Sequence, residues 1–280
     1  MIIALLPNLS KSQSKSIATS IREFLVQNGV TVTARDDEAE TIGAVPLSSV
    51  KSEEISFIIT LGGDGTILRF LHTHPDLSAP VVGINLGGLG FMADIPLSDI
   101  YPCLHALLKG NYSVDERIMM TGTTQGGQST FALNDIVIHR GQIPSLIELV
   151  IHVDGNYLNT FSADGVVVAT PNGSTAYSLA AGGPILTPKM EAFVLTPICP
   201  HTISNRPIVL LPNQTIQIQY ITENEPIEII FDGLDCFRMS NGEMFYITLS
   251  QKKFKLVNLP QYDYFSTLRK KLGWTGKLKA

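Results

Sequence analysis

The chain is poor in cysteine. Only Cys103, Cys199 and Cys236 occur in 280 residues, widely spaced and without a C-x-x-C pair. An odd, scattered set supports neither a disulfide framework nor a zinc site, so all three are expected to be reduced, buried thiols. No stretch approaches the roughly 18 apolar residues a membrane helix requires. The opening run MIIALLP has no positive flank and stops at Pro7, too short for a signal peptide. Positive charge is also scarce: 20 Lys and Arg against 25 Asp and Glu leave a net charge of −5 and no broad basic face for nucleic acid. The one basic cluster, Arg269, Lys270, Lys271, Lys277 and Lys279, fits a solvated helix face. These absences describe a cytoplasmic protein with neither membrane nor nucleic acid as partner. A G-x-x-x-x-G-K-[ST] loop is missing, which excludes a P-loop mechanism. Gly88-Leu89-Gly90 with Ala93 imitates a dinucleotide fingerprint but has no acidic residue about 20 positions on, so it reads as a plain glycine-rich loop. His72 and His74, two apart, suit neither one helix face nor a zinc motif and are expected to face solvent; His139, His152 and His201 have no hydrolase context around them.

What is present is a globular composition, 44% hydrophobic and 16% charged, at a length that suggests about two domains. Residues 1–111 alternate apolar runs with helix-period segments. IIALL, VTVTA, ISFIITL and VVGINL read as strands; 10–28 reads as a helix with Ile17, Ile21, Phe24 and Leu25 on one face, and 97–110 as a second. Such alternation implies an open, Rossmann-like parallel sheet. From 112 to 258 the texture becomes short alternating runs with turn signals. Asp154-Gly155 and Asn241-Gly242 mark hairpins, because both central residues of the favoured turn need positive φ. The fold class expected is an α/β amino-terminal domain plus an all-β carboxy-terminal domain, with a short helix interrupting the latter near 172–183.

Three motifs carry chemistry. Gly62-Gly63-Asp64-Gly65-Thr66 follows an apolar strand and opens a helix, the crevice where α/β sheets bind ligands. A carboxylate there repels phosphate, so Asp64 serves either to orient or accept a proton from an attacking hydroxyl, to hold a divalent cation, or merely to cap the helix. Pro171-Asn172-Gly173-Ser174-Thr175 repeats the strand, glycine turn, helix logic; Ser174 and Thr175 can cap that helix while offering hydroxyls to a ligand, and Tyr177 can stack on a base or fill the core. Asn134-Asp135 lies inside an apolar run, where it either bonds ribose and base edges or marks a strand end. Two polar-tipped glycine turns, one per domain, suggest a site between the domains.

In combination GGDGT at 62–66, LNDIVIHR at 133–140 and DGVVVATPNGSTAYSLAAGGPI at 164–185 resemble the NAD kinase family over nearly the whole chain. The resemblance implies transfer of the γ-phosphate of ATP, or in some members polyphosphate, to the 2′-hydroxyl of the adenosine ribose of NAD, with a divalent cation, Mg²⁺ being expected. It implies Asp64 at that hydroxyl, Gly62, Gly63, Gly65 and Thr66 facing phosphate, and Arg69 pairing with it. Asn134, Asp135, Asp164 and the turn Thr175, Ala176, Tyr177, Ser178, Leu179, Ala180 would hold NAD, with Asp64, Gly65 and Arg69 contributing. It further implies that 259–280 returns to the first domain, and that the active form is a homodimer or homotetramer. Ala180, Leu234 and Asn172 depart from the family's common Ser, Gln and Thr. A lipid kinase of the same superfamily and a non-enzymatic dinucleotide sensor are the alternatives.

Overall fold

The computed structural model describes residues 1–88, 90–202, 204–222, 225–274 and 276. Leu89 of the glycine loop and Lys277 and Lys279 of the basic cluster lie outside them. The chain divides into one compact unit of Met1–Asp115 with Lys255–Ala280, and a second of Glu116–Phe254. The first is α/β and the second β-rich.

In the first unit the strands run parallel in the order Val45–Pro46, Thr31–Ala34, Ile2–Pro7, Ile55–Gly62, Val81–Asn85, and Leu256 near the end of Met244–Asn258 pairs with Val81. Ile55–Gly62 is central and buried from Phe57 to Gly62, which is why its sequence is nearly continuous in apolar residues rather than alternating. The helix Ser14–Gln27 buries Ala18, Ile21 and Leu25 against this sheet, with Ile17 and Phe24 packed beside them. It stops where the Asn28 side chain bonds the Phe24 carbonyl and Gly29 turns to φ 76°. The segment expected as a helix over 97–110 is a 3₁₀ turn, Leu97–Asp99, leading into Ile100–Leu108. One helix, Asp36–Ile42, has no apolar stripe long enough to announce it. It forms because Asp36, Asp37 and Glu38 fill its first turn, where the dipole favours anions, and Gly43 closes it in the left-handed region.

The carboxy-terminal helix Tyr264–Leu272 is capped by Asp263, whose side chain accepts the Ser266 N–H at 2.9 Å. Just before it, Tyr262 donates to Asp99 Oδ2 at 2.5 Å and lies beside Cys103. Burial pushes the Cys103 thiol up to about 11. Only this cysteine is buried; Cys199 and Cys236 are exposed, contrary to the expectation for all three. Cys199 sits just beyond the end of Phe193–Ile198, and Cys236 on the edge strand Asp235–Met239. His72 and His74 are half-buried rather than solvent-facing, and the imidazole of His74 stacks on Phe70.

The second unit faces two antiparallel sheets on each other. One orders Asn156–Ala163, Ile147–Val153, Ile216–Tyr220 and Met244–Asn258, with Ser113–Thr124 and Ser129–Ala132 alongside. The other orders Ile208–Leu210, Phe193–Ile198, Gly165–Ala169, Asp135–His139, Ile227–Phe231 and Asp235–Met239. The period of two is visible in side chains: Ile136, Ile138, Val166 and Val168 enter the shared core, while Val137 and Val167 join a smaller cluster on the opposite face. Asp154-Gly155 makes the expected hairpin, both residues at positive φ. Asn241-Gly242 does not. Its turn carries the chain from Asp235–Met239 in one sheet to Met244–Asn258 in the other, because local turn chemistry does not choose the next strand's partner. At the centre Phe231 is fully buried, edge-on to Phe237 at 5.1 Å and near Phe245 at 6.1 Å. Phe231→Ala is expected to cost about 3–5 kcal/mol, read as a lowered denaturation midpoint.

Candidate active site

In the first unit the Ile55–Gly62 strand ends, Gly63 is extended, and Asp64 is the first residue of the helix Asp64–Thr73. The carboxylate does not cap that helix. Instead Phe91 N–H donates to Oδ2 at 2.7 Å, and Met92 and Ala93 N–H donate to Oδ1 at 3.0 and 2.8 Å. A carboxylate has about four acceptor positions, so the loop leaves Asp64 roughly one for a ligand. The loop is tied back by Gly90 N–H to the Ala93 carbonyl at 3.0 Å and by Asn85 Nδ2 to the carbonyls of Gly88 and Ala93 at 2.7 and 2.8 Å. From outside, Lys271 lies 4.4 Å over the Phe91 ring. The helix bearing the basic cluster thus presents Arg269 and Lys270 to solvent while Lys271 also packs on the Asp64 loop.

The neighbouring glycines divide into two kinds. A Cβ at Gly62 would meet Thr66 Oγ1 at 2.0 Å, so the fold itself demands glycine there. At Gly63 and Gly65 an added Cβ would meet nothing within 4 Å. Thr66 Oγ1 lies 3.4 Å from the Gly63 N–H, and Arg69 is exposed on the following turn.

The second unit gathers the other predicted residues around the junction of Asp135–His139 and Gly165–Ala169, paired antiparallel with Ala169 opposite Asp135. Asn134 precedes the first strand. Its carbonyl accepts Thr170 N–H at 2.9 Å, and a Cβ at Gly173 would strike that same oxygen at 2.0 Å, so only glycine allows this approach. Asp232, at φ 51°, accepts the backbone N–H groups of Leu133, Asn134 and Asp135 at 2.9, 2.7 and 3.1 Å. Asp164 is ion-paired with Arg140 Nε at 2.6 Å. Thr175 is half-buried, its hydroxyl on the Asn172 carbonyl at 3.3 Å; Ala176, Tyr177 and Ala180 are exposed and Leu179 half-buried. Burial first, then the charges of Cys199, Asp164 and Asp135, raises the Tyr177 phenol. Leu234, the other departure, is exposed.

Two hydroxyls point the other way. Ser174 is fully buried and bonds Pro171 and Leu186, so it does not offer its hydroxyl to a ligand as the sequence suggested. Ser178 is equally buried, 3.0 Å from Thr196 Oγ1. Sequence reasoning missed Arg117, which reaches Asn172, and the Asp232 carboxylate; Asp232-Gly233 was the only available signal for the latter, as a turn dipeptide.

Asp135 is nearly enclosed. Burial, and secondarily the charge of Asp232, push its carboxyl up to about 7. In the unfolded chain it ionises near 3.9, so the folded form holds an extra proton between those values. The resulting stability is fully present below about pH 4 and is lost as pH rises through about 7. Asp135→Asn is therefore expected to flatten the fall in unfolding free energy between pH 5 and 8; urea melts at both pH values check this, and parallel curves for wild type and variant would contradict it.

A parallel α/β unit with a carboxylate nested at a strand-to-helix junction, followed by a β-rich unit with a polar turn beside Asn134, defines the class as an α/β-plus-β protein with its polar groups at strand ends, where such sheets bind ligands. A family model described as ATP-NAD kinase N-terminal domain matches residues 3–112, and one described as ATP-NAD kinase C-terminal domain matches 133–259. An NAD kinase of Protochlamydia amoebophila is 56% identical over 99% of this chain and 100% of its own length; one of Geotalea daltonii is 37% identical over 97% and 98%. Among solved structures, yeast NADH kinase complexed with NADH superposes with a TM-score of 0.88 at 26% identity, covering 100% of this chain and 89% of that one. An NAD kinase from Archaeoglobus fulgidus in complex with ATP gives 0.75 at 25% identity over 98% of both. The chain belongs to the NAD kinase family.

Proposed function

We infer that this chain phosphorylates NAD at the 2′-hydroxyl of its adenosine ribose, with ATP as donor, giving NADP. The observation that carries the chemistry is the Asp64 carboxylate, fixed by three backbone N–H groups with about one acceptor position left over. That is enough to accept one hydroxyl proton and aim one oxygen at phosphorus. Phosphoryl transfer needs little more from the protein than such positioning, together with electrostatic stabilisation. Gly63 and Gly65 support a phosphate-facing loop: neither packing nor positive φ requires glycine at either position, and a helix amino terminus lies beside them. Gly62 and Thr66 shape that loop, and exposed Arg69 supplies a cation. Asn134, Asp135, Asp164 and the turn Thr175–Ala180 hold the dinucleotide, with Tyr177 presenting its ring to adenine and buried Ser178 contributing through its backbone.

A divalent cation fits this scheme only as part of the nucleotide. Among the described residues no three His, Cys, Asp or Glu side chains cluster as a metal site, and Asp64 has about one position to give. Carried on the ATP phosphates, Mg²⁺ would neutralise charge on the transferring group. We assign the enzyme to the cytoplasm, a setting in which the unpaired Cys199 and Cys236 can stay exposed, and to a homodimer or homotetramer.

The test is a panel of acceptors and donors. NAD with ATP and magnesium is expected to yield NADP, read through an NADP-specific dehydrogenase, and diacylglycerol no product. Gly65→Ala is expected to leave the thermal midpoint in place while raising KM for ATP several-fold, since the space it fills is reserved for phosphate; unchanged kinetics would remove Gly65 from the phosphate loop.

A further inference from the structure

We propose that Arg117 dictates which way the Asn134 amide faces, through Asn172, so that Asn134 meets its ligand as a hydrogen-bond donor. The inference rests on the assignment of Asn134 to the dinucleotide. Arg117, on the strand Ser113–Thr124, is only 5% exposed, and its Nη1 donates to Asn172 Oδ1. Asn172 Nδ2 in turn donates to Asn134 Oδ1 at 2.6 Å.

The polarity of this relay needs no choice of amide orientation. A guanidinium has donors and no acceptor, so the Asn172 atom facing it must be oxygen. The other end of that amide is then NH₂, so the Asn134 amide atom it meets must be oxygen. Asn134 is left with its NH₂ to direct elsewhere, and no hydrogen bond from Asn134 Nδ2 is present among the described residues. Its backbone cannot swing to change this: Asp232 holds its N–H at 2.7 Å, Thr170 holds its carbonyl at 2.9 Å, and Gly173 packs on that carbonyl.

The ligand atom facing Asn134 is therefore an acceptor, a ring nitrogen of the base or a ribose oxygen, and not an exocyclic amine. Asn172 is what links the buried cation to the contact. A Thr hydroxyl would break this fixed order, because it can donate or accept in either direction.

Asn172→Asp tests the relay with almost no change in shape. Its carboxylate still accepts from Arg117 but offers Asn134 only acceptors, so the Asn134 amide turns its NH₂ inward and its oxygen to the ligand. NAD affinity is measured by calorimetry without ATP for wild type, Asn172→Asp, Asn134→Ala and the double variant, with thermal melts to confirm folding. The expected result is about tenfold weaker binding for Asn172→Asp, about 1.4 kcal/mol, and no further loss when it is added to Asn134→Ala. Equal losses in both backgrounds, or no loss in either, would overturn the relay while leaving Asn134 a contact. Unchanged affinity in Asn134→Ala would overturn the assignment of Asn134 itself, and the relay's role with it.

Discussion

Asp64→Asn is expected to lower turnover by about 10² or more, the scale of a lost acid–base group, while NAD affinity stays within a few-fold. The substitution preserves shape but replaces one acceptor oxygen by an NH₂. If the remaining oxygen keeps the Met92 and Ala93 amides, the NH₂ confronts the Phe91 N–H, donor against donor, where 2.7 Å now separates Phe91 N from Oδ2. Leaving that donor unsatisfied costs about 1–3 kcal/mol, so a modest loss of stability accompanies the kinetic defect. A carboxylate is a weak base toward a sugar hydroxyl. In a loose phosphoryl-transfer transition state the nucleophile releases its proton late, so the loss falls on positioning and on the final proton acceptor. Steady-state kinetics beside calorimetric NAD binding separates these roles; equal loss of binding and rate would make Asp64 structural.

Gly90→Ala should reproduce much of that defect without touching the carboxylate. An added Cβ would lie 2.2 Å from Asp64 Oδ1 and 2.8 Å from the Ala93 carbonyl oxygen. The side chain could rotate away, but the carbonyl belongs to the turn that Gly90 itself closes, so the loop must open and withdraw its N–H groups. Turnover is expected to fall about 10- to 100-fold, in line with the sensitivity of catalysis to small misplacements. NAD binding, assigned chiefly to Asn134, Asp164 and the turn after Asn172, should change little. Combined with Asp64→Asn, Gly90→Ala should add almost nothing to the kinetic loss, because both act on one carboxylate. Multiplying effects would show that the loop serves some other purpose.

Much of this architecture was legible in the sequence, because period and turn chemistry are local. Ile147–Val153 and Ile227–Phe231 match the apolar alternations residue for residue, and Asp154-Gly155 makes the expected hairpin. Asp36–Ile42 escaped notice because its helix is held by charge at one end and glycine at the other rather than by a long apolar stripe. The motifs singled out Asp64 and Asn134, but not the residues that hold each of them in place. Arg117 reaches Asn172 across 55 positions, and Asp232 reaches Leu133 across 99, separations at which no pattern of spacing signals contact. Similarly, nothing in GGDGT announces that its carboxylate is gripped by amides almost thirty residues on. Ser174 misled for the opposite reason: a hydroxyl in a glycine turn looks available until Leu186 and Pro171 are found around it.

A kinase of this kind transfers a phosphoryl group to one hydroxyl of NAD. Incubation of the wild-type protein with NAD, magnesium and ATP labelled in the γ-phosphate, followed by ³¹P NMR and chromatography of the dinucleotide, tests it most directly. One labelled product is expected, a monoester on the 2′-oxygen of the adenosine ribose, formed at most about one-hundredth as fast by Asp64→Asn. Label on any other hydroxyl, or no labelled dinucleotide from a protein that binds NAD, would contradict it.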